Sequence, residues 1–593
     1  MKKFLKSKQG ITLVALVVTI VVLIILAGIT LSLVLGQNGV ANKAKEAKDD
    51  TIMAQEKENI GLAWNAACID AGGDTSAITG TIMQTELNKT LTANEKDSSK
   101  ATVVQTTVDE KTQFTITYTI TENVYTIDSN GNVIESGKAA PPTPKSDGSW
   151  SDTKKVNTPK ITGTGLVPVT LASDGTATEV IDLSSDWYDY NTTANSSRWA
   201  NAVTKDSSGK ITGYFVWIPR YEYKISGTTI TVQFVDTSKT TADSGYLIHP
   251  AFTNNVANGG WSSEISGFWV AKYPAGYQAS TVNASGTLQN SSDTVVRSNI
   301  NYSGIDNSYT ANVVDSSLST STKMSYPVFK PLTYTYNCIR IGDIYTLARD
   351  IQNASTFYGL SGIDSHMEKN SEWGAVAYLT QSNYGRNGTE ININNFNFNN
   401  SNSKNTYCVT GVYGAGTSDS SVTAIGSVNA YNTSTGVKGS STGNITGVYD
   451  LNGCTCEEEA SYIANGASNL SKYGGPFTYT TADATPQTNG RSTKWATAYP
   501  YDSSSDNNAN NWTKYNSYKS STYGYGDAIL ETSTSGSGTT SWNLDYSNFA
   551  YTSVSFFIRG GGYFNGSGAG MFCFGSTDGG CNCYYGFRVV LVG

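Results

Sequence analysis

The sequence predicts a multidomain α+β protein, with an N-terminal transmembrane helix, a small antiparallel sheet and then a large β-rich domain. Three observations predict this class. An uncharged apolar run covers residues 11–35. Apolar and polar residues alternate strictly over 113–120, as in a half-buried strand. Beyond a Pro-rich segment, residues 150–593 consist mainly of short β-prone runs, glycine turns and aromatic residues.

The apolar run follows a basic leader that contains Lys2, Lys3, Lys6 and Lys8. Its length in a helix is about 37 Å, enough to cross a hydrocarbon core of roughly 30 Å. Because positive flanks resist translocation, the amino end is expected in the cytoplasm. The sequence therefore predicts a single-pass protein of the cell membrane with the bulk of the chain extracellular. A secretory signal peptide and a plain signal anchor are the alternatives.

The junction between leader and apolar run is Lys8-Gln9-Gly10-Ile11-Thr12-Leu13-Val14-Ala15. It resembles the processing site of type IV prepilins and type II secretion pseudopilins. The resemblance implies that a prepilin peptidase cuts after Gly10, that Ile11 becomes the methylated amino terminus, and that the membrane and other pilin subunits are partners. Ala15 stands where the family carries a glutamate that pairs with a neighbour in the filament. A minor subunit or a pilin-derived anchor therefore stays open.

The leader comprises residues 1–10. The resemblance to prepilins also implies which segments follow it. A pilin-like helix is predicted over 11–73, because a loose helical period continues to Gly72-Gly73. A small pilin-like α/β head is predicted over 74–137, with a helical patch at 83–91 and strands at 113–120 and 124–127. Residues 138–199 are a linker and lead-in, because the prolines of 139–149 favour extended backbone.

The amino-acid composition limits the classes of function that the protein can have. Charged residues are 15% of the chain, below the roughly 25% of typical soluble proteins. There are 37 Tyr and 11 Trp, whose amphipathic rings suit strands and contact surfaces. A net charge of -8 argues against nucleic-acid binding, which requires a basic face. The 8 Cys are too few for a disulfide-built scaffold, although individual bridges are permitted.

The outer part of the chain carries aromatic strand-like runs at 214–220 and 267–273 and helical patterns at 341–352 and 372–379. A stretch Gly443-Asn444-Ile445-Thr446-Gly447-Val448-Tyr449-Asp450-Leu451-Asn452-Gly453 follows, and the closing segment 559–593 contains Arg559-Gly560-Gly561-Gly562 and Gly586-Phe587-Arg588. In this order, the pieces resemble the formylglycine-generating-enzyme-like branch of the C-type lectin fold. The resemblance implies a C-type-lectin-like domain over 200–593 with a variable C-terminal segment, 559–593.

The same resemblance raises the question of catalysis. That chemistry uses a cysteine pair six and eleven residues after the arginine of the RGG motif, where this chain has Asn565 and Gly570. His249 and His366 are far apart in sequence and are expected to be structural or surface residues. We therefore predict no catalytic residue and no cofactor.

No metal site is predicted either. Two cysteine motifs, Cys454-Thr455-Cys456 and Cys581-Asn582-Cys583, lack the usual C-x-x-C spacing of a zinc site. A structural Ca²⁺ ion stays open, because no loop has a recognisable spacing of oxygen ligands. The carboxylates of Asp343, Asp350 and 457–459 are expected on a solvated face, and the Asn-rich stretch 392–405 is expected to be an exposed loop.

Between its two motifs, the closing segment combines rigid aromatic residues with adaptable polar ones, as antibody loops do. The predicted ligand-binding residues are Tyr563, Phe564, Asn565, Ser567, Phe572, Cys573, Phe574, Ser576, Asp578, Asn582, Tyr584 and Tyr585. Core packing is the alternative for Phe572, Phe574 and Phe587. These residue types are reachable from an AAC codon with both adenines replaced, so the segment resembles the variable region of proteins diversified by retroelements.

Together these patterns predict a surface-displayed, adhesin or receptor-type protein. Its non-catalytic lectin-like domain would bind an unknown extracellular protein or glycan. Two alternatives stay open: an enzyme related to formylglycine generation, and a structural minor pilin or pseudopilin.

Overall fold

The computed structural model is a mixed helix and sheet protein. It describes residues 40–93, 101–108, 111–118, 121, 123–138, 146–183, 186–255, 259–276, 326–337, 339–396, 398–399, 406–414, 416–417, 429–475, 478, 494–518, 525–580, 582 and 584–593. The chain divides into a first unit, Met1–Thr143, and a second unit, Pro144–Gly593. The division falls within the Pro-rich segment 139–149.

The first unit packs two helices against one antiparallel sheet. The helices are α1 (Val40–Asp70) and α2 (Gly80–Ala93), and the strands in spatial order are β1 (Ala101–Val108), β2 (Lys111–Tyr118), β3 (Asn123–Ile127) and β4 (Val133–Lys138). Alternation along β2 buries Phe114 and Ile116 in a core shared with Trp64 of α1 and Leu87 of α2. The strands predicted at 113–120 and 124–127 are confirmed where they are described.

The glycine pair predicted to stop the first helix does so. Gly72 and Gly73 have φ of 65° and 88°, and the N–H of Gly73 donates to the carbonyl of Cys68 over 2.9 Å. Glu56 then joins α1 to the sheet, because its buried carboxylate accepts from Nδ2 of Asn123 at 2.6 Å and from the hydroxyl of Tyr125 at 2.7 Å.

The helices correct the membrane prediction. In the part of the chain that the structure describes, no helix combines the length and the apolar sequence that crossing a bilayer requires. This finding contradicts the transmembrane part of the predicted fold class and the predicted single-pass membrane localisation. The apolar run 11–35 and the processing site at Gly10 and Ile11 themselves lie outside the described residues.

Two seven-stranded sheets organise the second unit. The strands of the first, in spatial order, are β15 (Asp364–Met367), β27 (Val589–Val592), β14 (Gly267–Ala271), β10 (Ile211–Pro219), β9 (Asn201–Lys205), β7 (Val167–Leu171) and β8 (Ala177–Glu179). Those of the second are β21 (Thr497–Tyr499), β20 (Cys456–Ile463), β24 (Phe556–Gly560), β25 (Gly570–Thr577), β23 (Ser547–Asn548) and β22 (Ser537–Gly538), with β26 (Tyr585–Gly586) beside β20.

Shorter elements complete the second unit. The helices are α3 (Ile341–Asp350), α4 (Ser355–Tyr358), α5 (Asn370–Gln381) and α6 (Asn508–Asn516). The small sheets consist of β5 (Trp150–Ser151) and β6 (Val156–Asn157); β11 (Tyr221–Ser226), β12 (Thr229–Phe234) and β13 (Leu247–Ile248); β16 (Phe398–Asn399) and β17 (Thr406–Tyr407); and β18 (Val412–Tyr413) and β19 (Asn429–Ala430). The helices predicted at 341–352 and 372–379 are confirmed as α3 and α5, with ends shifted by about two residues.

The aromatic runs predicted as strands form the centre of the first large sheet. Trp217 of β10 pairs with Trp269 of β14, and both side chains are fully buried. The last strand, β27, pairs with the edge of β14 that faces away from β10. Because β15 pairs with the other edge of β27, this strand lies inside the sheet. The closing segment therefore begins in one large sheet, at β24, and ends in the other, at β27.

Candidate functional site

Two buried arginines hold the ends of the closing segment. Arg588 donates to both carboxylate oxygens of Glu457, from Nε over 3.0 Å and from Nη2 over 2.7 Å. Nη1 and Nη2 also donate to the carbonyls of Ala271 and Tyr449, at 2.7 and 2.9 Å. This forked, charge-assisted contact ties the start of β27 to β14 and β20.

Arg559 holds the other end, on β24. It is fully buried, and its guanidinium carbon lies 5.6 Å from the ring centre of Trp373. The chain then turns at Gly560 and Gly561, whose φ are 78° and 69°. A Cβ on Gly561 would lie 2.7 Å from the Cα of Ala569, so this turn requires glycine. The RGG motif thereby fixes the place where the following loop leaves the sheet.

That loop carries an exposed aromatic cluster. Phe564 is 44% exposed, and its ring centre lies 5.1 Å from that of Tyr563 and 5.2 Å from that of Tyr584. Tyr563 is buried beneath the other two rings, while Asn565 and Ser567 are exposed beside them. We call these five residues the aromatic surface.

The twelve predicted ligand-binding residues divide by burial. Phe564, Asn565, Ser567 and Asp578 are exposed, Ser576, Asn582, Tyr584 and Tyr585 are half-buried, and Tyr563, Phe572, Cys573 and Phe574 are buried. The structure thus brings five of the twelve together as the aromatic surface.

The remaining residues are distributed along β25 and beyond it. Phe572 and Phe574 have no exposed surface and pack in two different core clusters, which is the alternative that the sequence left open. Phe587 is buried as well. Asp578 follows the end of β25 that is opposite to Gly570.

Sequence reasoning missed the loop that borders the aromatic surface. Leu544 is 65% exposed and Tyr546 is 42% exposed. The N–H of Tyr546 donates to the carbonyl of Gly568 at 2.9 Å, so this loop lies against the turn Gly566–Gly568. Asn543 and Leu544 have φ of 61° and 67°, a conformation that is rare for a leucine. No periodicity in the sequence marks these two side chains as exposed.

The stretch 443–453 is structural. Asn444 donates from Nδ2 to the carbonyls of Asn195 and Ser197, at 3.0 and 2.8 Å. Asp450 is buried, and its carboxylate accepts from the hydroxyl of Tyr413 at 2.8 Å and from Nδ2 of Asn394 at 2.9 Å. These bonds hold loops together beneath the surface.

Two expectations about polar residues are wrong. Glu457, Glu458 and Glu459 lie on β20 with no exposed surface, instead of on a solvated face. Burial raises the pKa of Glu458 and of Glu459 well above its usual value. The described start of the Asn-rich stretch, 392–396, is also buried, and Nδ2 of Asn394 there donates to the carbonyl of Val409 at 2.8 Å.

Both histidines are buried and structural. Burial lowers the pKa of His249 to about 3, and Nδ1 accepts from the N–H of Ala251 at 3.3 Å. His366 lies between two carboxylates, with Nδ1 2.8 Å from Asp364 and Nε2 3.0 Å from Glu372. Burial opposes protonation of His366, but the two carboxylates outweigh it and raise its pKa.

Neither position of the enzyme family's cysteine pair carries a thiol. Asn565 is exposed, and its side-chain oxygen accepts from the N–H of Gly562 at 2.7 Å. A Cβ on Gly570 would collide with the carboxylate of Asp545. Within the described residues, no group of three or more His, Cys, Asp or Glu side chains is arranged to hold a metal ion. Cys581 and Cys583 lie outside them.

Comparison of the chain with protein families and with curated proteins gave no match.

Proposed function

We propose that this protein is a ligand-binding protein whose second unit is a non-catalytic, lectin-like recognition domain. The aromatic surface is its contact site. The single observation that carries the proposal is the exposed ring of Phe564, packed edge-on against Tyr584 and supported from below by Tyr563.

Physical chemistry favours a contact role for this cluster. Aromatic side chains offer a large rigid area with few torsions to freeze on binding, while neighbouring Asn and Ser side chains adapt their hydrogen bonds. The two buried arginines hold both ends of the closing segment, so the rings are positioned before a ligand arrives. Such preorganisation lowers the entropic cost of binding.

The proposed ligand is a protein or a glycan. Leu544 and Tyr546 are two further exposed apolar side chains, on the loop that lies against the turn Gly566–Gly568. An extended face of apolar rings with a polar rim resembles the centre of a protein interface, where aromatic residues contribute most of the binding energy.

Glycan and protein arrays probed with the full-length protein test this function. We expect a saturable ligand for the wild type and a weaker signal for Tyr584→Ala than for Tyr585→Ala, because only Tyr584 belongs to the aromatic surface. The absence of any saturable ligand would contradict the proposal and favour a structural subunit. Turnover of the bound molecule, or copper-dependent oxidation of a thiol substrate, would instead indicate an enzyme.

A further inference from the structure

Two buried cysteines lie directly beneath the aromatic surface. Cys408 and Cys454 are fully buried and share a small cluster with Tyr563, on which Tyr584 packs. The Cys408 thiol donates to the carbonyl oxygen of Cys454 at 3.1 Å, across 46 residues of sequence. Neither thiol has a part in the proposed ligand contact.

One asparagine holds the two cysteine-bearing segments together. The carbonyl of Asn394 accepts from the N–H of Cys454 at 2.7 Å, and its Nδ2 donates to the carbonyl of Val409 at 2.8 Å. The sulfur of Cys454 lies 3.9 Å from that same Val409 carbonyl. Asn394 therefore bonds both to the backbone of Cys454 and to that of Val409, the residue after Cys408, and so holds the two cysteines beside each other.

We propose that the thiols of Cys408 and Cys454 are oxidised to a disulfide bond, which stabilises the buried residues beneath the aromatic surface. The oxidant is a small-molecule disulfide such as oxidised glutathione. One cysteine thiolate attacks it to form a mixed disulfide, and the second cysteine thiolate displaces the remaining glutathione. Two cysteine thiols are thereby oxidised to one cystine, and one oxidised glutathione is reduced to two thiols, which take up the two protons.

The timing of this reaction follows from burial. Burial, together with the adjacent Cys408 thiol, raises the pKa of Cys454 well above its usual value. The thiolate of Cys454 is therefore scarce in the folded protein. We expect the bridge to form while the chain folds, before Tyr563 covers the pair, and to resist reduction afterwards.

Peptide mapping of the full-length protein tests the pairing. The chain is refolded with oxidised and reduced glutathione, its free thiols are alkylated in denaturant, and it is digested without reduction for mass spectrometry. We expect one linked peptide pair that contains Cys408 and Cys454 and separates on reduction. The same pair is expected in Cys573→Ser, whose buried cysteine is the matched control, and is lost in Cys408→Ser.

The peptide map of the wild-type protein tests the pairing of Cys408 and Cys454 even if a variant fails to fold. Recovery of Cys408 and Cys454 as alkylated peptides would overturn the proposal. So would a bridge from either of them to another cysteine of the chain. The pairing is independent of ligand binding, because the map reads the bond itself.

Discussion

Two buried histidines change the stability of the second unit with pH in opposite directions. Unfolded histidine takes up a proton near pH 6.5, whereas His249 in the folded protein stays neutral to about pH 3, because burial opposes its charge. Between these values the unfolded state binds more protons, so the free energy of unfolding falls as the pH falls. His366 has the opposite sign, because its carboxylate partners raise its pKa and stabilise the folded state most below pH 6.5.

Substitution of His249 by Asn should therefore flatten the acid side of the stability profile. Asn keeps a side-chain acceptor near the N–H of Ala251 but cannot take up a proton. Between pH 7 and pH 4, we expect the wild type to lose up to about 3 kcal/mol more than the variant, as judged by urea denaturation.

His366→Gln is the matched control for this prediction. Its difference from the wild type should be greatest at low pH and should shrink as the pH rises above 6.5. Equal slopes for wild type and His249→Asn between pH 4 and pH 7 would contradict the assignment of His249 as a buried neutral base.

A second prediction at this scale concerns Gly561. Alanine there must adopt a φ of 69° and place its Cβ 2.7 Å from the Cα of Ala569, which is backbone and cannot swing aside. Strain and collision together should destabilise the protein by about 2–3 kcal/mol in denaturant titration. Gly416→Ala is the control, since nothing lies within 4 Å of its Cβ position. Equal stability of the two variants would show that the RGG turn is not constrained.

At the scale of secondary structure elements, the ion pair of Arg588 and Glu457 joins β14, β20 and β27. Arg588→Met leaves a buried carboxylate without its partner and should cost about 3–5 kcal/mol. The double variant Arg588→Met, Glu457→Gln removes the orphaned charge and should recover part of that loss. Thermal unfolding of the single and double variants measures the coupling, and additive losses would contradict it.

Helices and strands with a strong hydrophobic periodicity could be predicted from the sequence, whereas the tertiary contacts around them could not. The alternation in β2, the aromatic runs of β10 and β14, and the helices α3 and α5 all follow from local pattern. The burial of Glu457 could not be predicted from local pattern, because its partner Arg588 lies 131 residues further along the chain. Polar composition also misled at 392–396, where Asn394 is buried and bonds to Val409 and Asp450, 15 and 56 residues away in sequence.

The candidate site was predictable in part for the same reason. The closing segment contains all five residues of the aromatic surface, but alternation along β25 cannot show that both faces of this strand are covered. Phe572 and Phe574 are consequently in the core. Tyr546 is held beside Gly568 by a backbone hydrogen bond, a contact that no local pattern specifies. The transmembrane helix, inferred from length and charge, has no counterpart among the described helices.

At the scale of the whole molecule, the chain carries two units with separate hydrophobic cores. The aromatic surface lies outside both cores, and exposed side chains contribute little to stability, within about 0.5 kcal/mol. Truncation of an exposed ring should therefore change binding without unfolding either unit.

The dissociation constant of an array-derived ligand for Phe564→Ala tests the central claim most directly. Ile181→Ala is the matched control, because Ile181 is 95% exposed and follows β8, the outermost strand of the other large sheet. We predict that Phe564→Ala weakens binding about tenfold or more, in titration calorimetry, while Ile181→Ala binds as the wild type does. Wild-type affinity in Phe564→Ala would contradict the account.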